Sequence, residues 1–175
     1  KSSPSSFNKG ITIRSTNGVV FAESLTTKNS VTVLKGGTGT VTIAAGKTLS
    51  STNQLLTVTS DDVVFDASST VSTGAASMLV MTHSAIGMGV GAIDSQPHDF
   101  DNDAFGALQT SGLVLGLAAL NLDVKLVGVS TSASQDVEGI VTVLSTVDDK
   151  QIFFNQTASA FHALAAQADN GISGL

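Results

Sequence analysis

Thr40-Val-Thr-Ile-Ala-Ala-Gly-Lys-Thr-Leu-Ser-Ser-Thr-Asn-Gln-Leu-Leu-Thr-Val-Thr59 holds the pattern on which the fold turns. Its two apolar runs, Thr40–Ile43 and Leu55–Val58, are rich in β-branched and aliphatic residues, and Ala45-Gly46 and a polar stretch lie between them. Stiff, branched side chains suit a pleated surface, whereas Gly and short polar residues suit a turn. The stretch reads as strand, turn, strand.

The pattern continues in both directions. Upstream lie Ile11–Arg14, Val19–Ala22 and Val31–Leu34; downstream lie Val63–Phe65 and Met78–Met81. Asn17-Gly18, Lys28-Asn29, Gly36-Gly37, Ser60-Asp61-Asp62 and Thr73-Gly74 punctuate them as turns. The starts Ile11, Val31, Leu55 and Met78 are 20, 24 and 23 residues apart, and the interleaved starts Val19, Thr40 and Val63 are 21 and 23 apart. Recurrence at such a period is the mark of a solenoid, in which each repeat buries its apolar face against the next. The quoted stretch, with residues 11–90 around it, resembles the coils of extracellular right-handed β-helix proteins. That resemblance implies an architecture and no particular activity. The expectation is an all-β chain, mainly a parallel β-helix or solenoid; the alternative for closely spaced short strands is a β-sandwich of jelly-roll type.

Residues 94–112 break the rhythm and read as a polar insert, after which β-runs resume at Leu113–Leu117, Leu122–Val129, Ile140–Leu144 and Gln151–Phe154. One helix is expected near the end. Thr157 or Ser159 would cap it, Phe161, Leu164 and Ala165 have helical spacing, and Asn170-Gly171 would stop it. Such a helix would cover an open sheet edge. Residues 1–10 are Ser-rich and read as an N-terminal arm, held by its own domain or by a neighbouring subunit; residues 11–175 read as a single β-rich domain.

The composition bounds the chemistry. Hydrophobic residues make up 42% and charged residues 13% of 175, the balance of a chain that folds. Cys, Trp and Tyr are absent, which excludes disulfides and thiolate metal sites and leaves eight Phe to anchor any pocket. A charge-poor, Ser/Thr/Gly/Val-rich chain leans toward an extracellular or surface location. It starts at Lys1 with no basic-then-apolar leader, as a mature or trimmed chain would. The run Ala75–Ile93 is long enough for a membrane span but contains Thr82, His83, Ser84 and several Gly, so it reads as buried strands.

Charge is unevenly placed. Residues 1–60 carry six cations against Glu23, a net +5, while residues 61–175 carry two cations against 13 acids, a net −11. Opposed charge on two parts of one chain suggests head-to-tail contact between copies, and repeated contacts of that kind build rings or filaments. The acidic total and missing aromatics disfavour nucleic acid.

The sharpest polar constellation is Asp94, His98, Asp99, Asp101, Asn102 and Asp103. Asp99, Asp101 and Asp103 alternate as hard oxygen ligands for Ca²⁺ would, although Ala104 and Thr110 occupy the positions where an EF-hand loop needs Gly and Glu. The competing reading is a solvated acidic loop with Asx-turns. His83, His98 and His162 show no ligand spacing, and Gly-x-Ser-x-Gly is absent. Asp61-Asp62 and Asp148-Asp149 are adjacent, and neighbours on a strand point to opposite faces. Thr38/Thr40/Thr42 and Thr57/Thr59 lie two apart and would share a face, as on β-solenoid ice-binding proteins or on any exposed strand. Asn155-Gln-Thr157 is a glycosylation sequon. With no nucleophile or acid-base motif, no catalytic residue is named and no enzyme is expected. The expected function is a structural subunit of an extracellular filament, coat or surface layer. The alternatives are a carbohydrate-binding or carbohydrate-cleaving β-helix and a Ca²⁺-stabilised adhesin module.

Overall fold

A computed structural model describes residues 3–92, 96–116, 120 and 122–174. The chain is mostly strand. In order come β1 (Ser5–Phe7), β2 (Thr12–Arg14), β3 (Val19–Phe21), β4 (Leu25–Thr27), β5 (Thr32–Ile43), β6 (Thr48–Ser50), β7 (Leu56–Phe65) and β8 (Thr70–Met81). Then follow β9 (Met88–Gly91), β10 (His98–Asp101), α1 (Asn102–Gly106), β11 (Leu108–Leu115), β12 (Val124–Val127) and α2 (Thr131–Ser134). The last elements are β13 (Val141–Ser145), β14 (Ile152–Phe154), β15 (Leu164–Ala168) and β16 (Ile172–Gly174).

Every pairing between these strands is parallel. Jelly rolls are built from antiparallel strands, so that alternative does not describe this chain. One sheet runs β1-β4-β6-β8-β11-β13-β15 with β2, β3, β5 and β7 joined to it, and a second runs β10-β9-β12-β14-β16. Residues stack in register from rung to rung. Ile13, Leu34, Val58, Val80, Leu115, Val143 and Ala166 form one column, and Leu25, Leu49, Val71 and Leu108 form another. Leu34, Val58, Val80, Leu115 and Val143 are completely buried. Period-2 alternation puts these residues inward and Thr, Ser and Lys outward.

Three turn signals lie within long strands: Gly36-Gly37 in β5, Ser60-Asp61-Asp62 in β7 and Thr73-Gly74 in β8. Gly36-Gly37 is a bend where the register shifts between Lys35 and Thr40. Gly37 has φ 63°, and a Cβ on Gly39 would lie 2.3 Å from the carbonyl carbon of Asn17, so the rung below packs directly against this bend. Another corner is held by buried hydroxyls: Thr27 pairs with Thr32, Ser51 Oγ donates to the Gln54 carbonyl, and Thr73 Oγ1 donates to Thr110 Oγ1. Each buried polar group there has the partner that burial demands.

Two expectations are corrected. The polar segment 94–112 is not a loop-like insert where it is described: it forms β10, α1 and the start of β11, with Phe100, Phe105 and Leu108 fully buried. Its acids hid a strand alternation in which His98 and Phe100 point in while Asp99 and Asp101 point out. The helix expected after Thr157 is absent. Leu164–Ala168 is β15, paired with β13 from Val141↔Leu164 to Ser145↔Ala168, and Asn170-Gly171 turns the chain into β16. The open edge of β13 offered a full ladder of partners, which outweighs the modest helix preference of Ala. Within residues 1–10, β1 pairs with β4. No helix among the described residues is long and apolar enough to cross a membrane.

Candidate functional site

The acidic segment is laid out by β10 and α1. Asp101 is the N-cap of α1, and its Oδ1 accepts from the Ala104 amide at 2.7 Å, a use that alone explains a carboxylate there. Asp103 follows in the first turn of α1, where the helix dipole favours an acid. Asp99 lies over β9: a Cβ on Gly89 would come within 2.6 Å of its Oδ1. Asn102 spans to the end of β12, its amide donating to the Gly128 carbonyl and its oxygen accepting from the Ser130 amide. Asp101, Asn102 and Asp103, with Gly91 and Ala92, line a recess of about 170 Å³. Among the described residues no three His, Asp or Glu side chains are placed to hold a metal ion, and Asp94 lies outside the described residues.

His98 is 0% exposed, and neither ring nitrogen has a hydrogen-bond partner of normal geometry. Backbone groups of Ser60 and Asp61 and the Asp62 carboxylate face it from β7. Burial holds its pKa below the usual histidine value, against the pull of Asp62, so the ring is neutral. Asp61 itself is committed to Ser84, whose amide and hydroxyl donate to its two oxygens, while Asp62 accepts from the Asp99 amide. The adjacent pair therefore diverges, as strand geometry requires. Beyond His98, Phe65, Phe100, Phe105 and Phe161 form an edge-to-face series with centroids 6.1, 4.9 and 6.3 Å apart. Half of the aromatic residues thus build core. His83 and His162 are exposed. The hydroxyl ranks do not form an unbroken Thr face, because Thr42 stacks between Val20 and Val64.

Other distinctive surfaces are two unpaired edges, formed by the first and the last strands of the chain. At one, β1, β2 and β3 each pair on a single side. Phe7 is 45% exposed there, and with Ile11, Ile13, Phe21 and Leu25 it lines an apolar hollow of about 420 Å³. Lys9 and Arg14 flank it, both exposed, and Arg14 stacks on Lys35. At the other, β15 and β16 pair only with β13 and β14. Leu164 and Ile172 are 36% and 49% exposed, beside exposed Asp148, Asp149 and Asp169. Sequence reasoning found the charge asymmetry but not these apolar side chains, whose exposure depends on which strands lie at an edge. Comparison with protein-family models, with curated proteins and with solved structures found no match for the chain.

Proposed function

We propose that this chain is a parallel β-helix that serves as a structural subunit, stacking end to end with copies of itself in an extracellular filament, coat or surface layer. The observation that carries the reading is the pair of unpaired parallel edges, each with exposed apolar side chains and each flanked by the opposite charge. Unpaired edges carry rows of free N–H and C=O groups that template pairing with another chain. Carrying the observed register across the contact sets Leu164 on Ile11, Ala165 on Thr12 and Ala166 on Ile13. Asp169 then falls two positions beyond the residue stacked on Arg14, within reach of a diagonal ion pair.

Light scattering at low and high salt tests the reading. Large regular particles at low salt that shrink as the Debye length falls support charge-guided stacking. A monomer of constant size at every salt and protein concentration contradicts it. The second reading is a Ca²⁺-stabilised adhesin module using the recess at Asp101 and Asp103. Its test is calorimetric titration with Ca²⁺: heat that Asp103→Asn abolishes supports it, and no heat removes it.

A further inference from the structure

A groove of about 500 Å³ opens where β8, β11 and the segment after α2 meet. Its floor is small, Gly74 and Ala75, and rigid: the Ala75 amide donates to Asn53 Oδ1, and Thr73 and Thr110 are linked beneath it. Its walls carry Ser72, Gln109, Gln135, Asp136 and Glu138. Val137 is fully buried and bridges to Thr110, so Asp136 and Glu138, on either side of it, both turn outward. The Thr110 amide donates to the Asp136 carbonyl and the Glu138 amide to the Thr110 carbonyl, which fixes the backbone carrying both acids. Among the described residues, the side chains of Gln109, Gln135, Asp136 and Glu138 make no hydrogen bond or ion pair within the chain.

We infer that this groove binds a hydroxyl-rich saccharide chain. Carboxylates only accept hydrogen bonds and amides both donate and accept, so the lining has an excess of acceptors and suits a ligand that brings many donors. An acidic ligand would be repelled by Asp136 and Glu138, and an apolar one would leave four polar side chains desolvated. The volume falls within the range of small-molecule sites, about 300–1,000 Å³. The groove also has a direction. Thr26, Ser50, Ser72 and Gln109 stack outward in register along four rungs and lead into it. With rungs about 4.8 Å apart, that ladder presents a hydroxyl or amide at each step to a linear chain lying along the stack. No aromatic ring lines the groove, so binding rests on hydrogen bonds, with a Kd on the order of 1 mM.

The test is a titration of the whole chain, followed by amide NMR signals, with three probes: cellohexaose, a glucosamine hexamer and a galacturonic acid hexamer. Cellohexaose and the glucosamine hexamer are expected to shift signals at Thr110 and Glu138, and the acidic hexamer is not. Gln109→Ala combined with Gln135→Ala is expected to weaken cellohexaose binding about tenfold or more. Asp136→Asn combined with Glu138→Gln, which preserves shape, is expected to abolish discrimination against the acidic hexamer. It also serves as the second variant should the alanine pair fail to fold. The inference is overturned if neither cellohexaose nor the glucosamine hexamer binds at about 10 mM, if the shifts map away from the groove, or if the acidic hexamer binds best. Particle size plays no part in this readout, so the assembly reading stands or falls separately.

Discussion

Between Leu25 and Met81 each new rung adds 22–24 residues and repeats the same aliphatic columns. Between Met88 and Val137 the stack takes on an added strand, two short helices and a buried imidazole. The step from Val80 to Leu115 spans 35 residues and that from Leu115 to Val143 spans 28, after which Val143 to Ala166 returns to 23. The regular region closes its core mainly with stacked aliphatic side chains, joined by the Phe21, Ile43 and Phe65 column and by buried hydroxyls at one corner. The irregular region needs several at once: ring edges on ring faces, a capped helix and a neutral histidine. Redundant columns tolerate local damage, whereas a junction of unlike contacts depends on each of them.

The contrast is sharpest for core truncation. Phe100→Ala, which removes a ring packed against both Phe65 and Phe105, is expected to cost about 3–5 kcal/mol. Leu56→Ala in the regular columns is expected to cost about 2–5 kcal/mol and to fall toward the lower end, because the column around it can close in. Urea denaturation of both variants decides the matter; equal losses would break the distinction between the two regions.

Acid comes next. His98 has its folded pKa below 6.5, so as pH falls under 6.5 the unfolded chain takes up a proton that the folded chain resists. Stability is full above that pH and declines below it, by up to about 1.4 kcal/mol per pH unit for one proton. His98→Leu is expected to flatten the decline between neutral pH and mild acid, measured by denaturation across that window; an unchanged slope would show that another group sets it. Asp66 acts separately. The Ser68 hydroxyl and amide hold its pKa below 3.8, so its contribution is present above 3.8 and lost only in stronger acid.

Smaller effects follow. Asp101→Ala removes the cap of α1 and is expected to cost about 1 kcal/mol in a thermal melt, with Asp101→Asn restoring most of it. In the regular region Lys47→Met breaks the half-exposed pair with Glu23, 2.9 Å apart, and is expected to cost at most about 0.5 kcal/mol and nothing at high salt.

The same two regions differ in how far the sequence can be read. Spacing of Ile11, Val31, Leu55 and Met78 carried the approximate rung period, because strand residues recur on successive rungs 21–24 residues apart and most inward positions are aliphatic. In the irregular region the signal failed for a physical reason. The four residues His98–Asp101 read as polar by composition, yet two of them are buried. Leu164–Ala168 has helical propensity but lies where β13 presents an unpaired edge, and that edge is a tertiary fact. Of the candidate site, the capping role of Asp101 was within reach of the sequence, since Asp stands three residues before a buried Ala-Phe pair. The groove at Gln109, Gln135, Asp136 and Glu138 was not, because separate rungs bring those residues together.

End-to-end stacking is tested most directly by a cross-link placed by register. The chain has no cysteine, and Thr12 and Ala165 are exposed outward positions that the stacked register would set side by side. Adjacent rungs about 4.8 Å apart fall within the Cα separation a disulfide accepts. Thr12→Cys and Ala165→Cys chains, mixed and oxidised mildly, are expected to give a mixed dimer far in excess of that from Thr12→Cys mixed with a cysteine at exposed Ala85. The doubly substituted chain should then give a ladder of covalent oligomers. Mixed-dimer yields no higher than the Ala85 control, with no ladder from the double variant, would contradict the account.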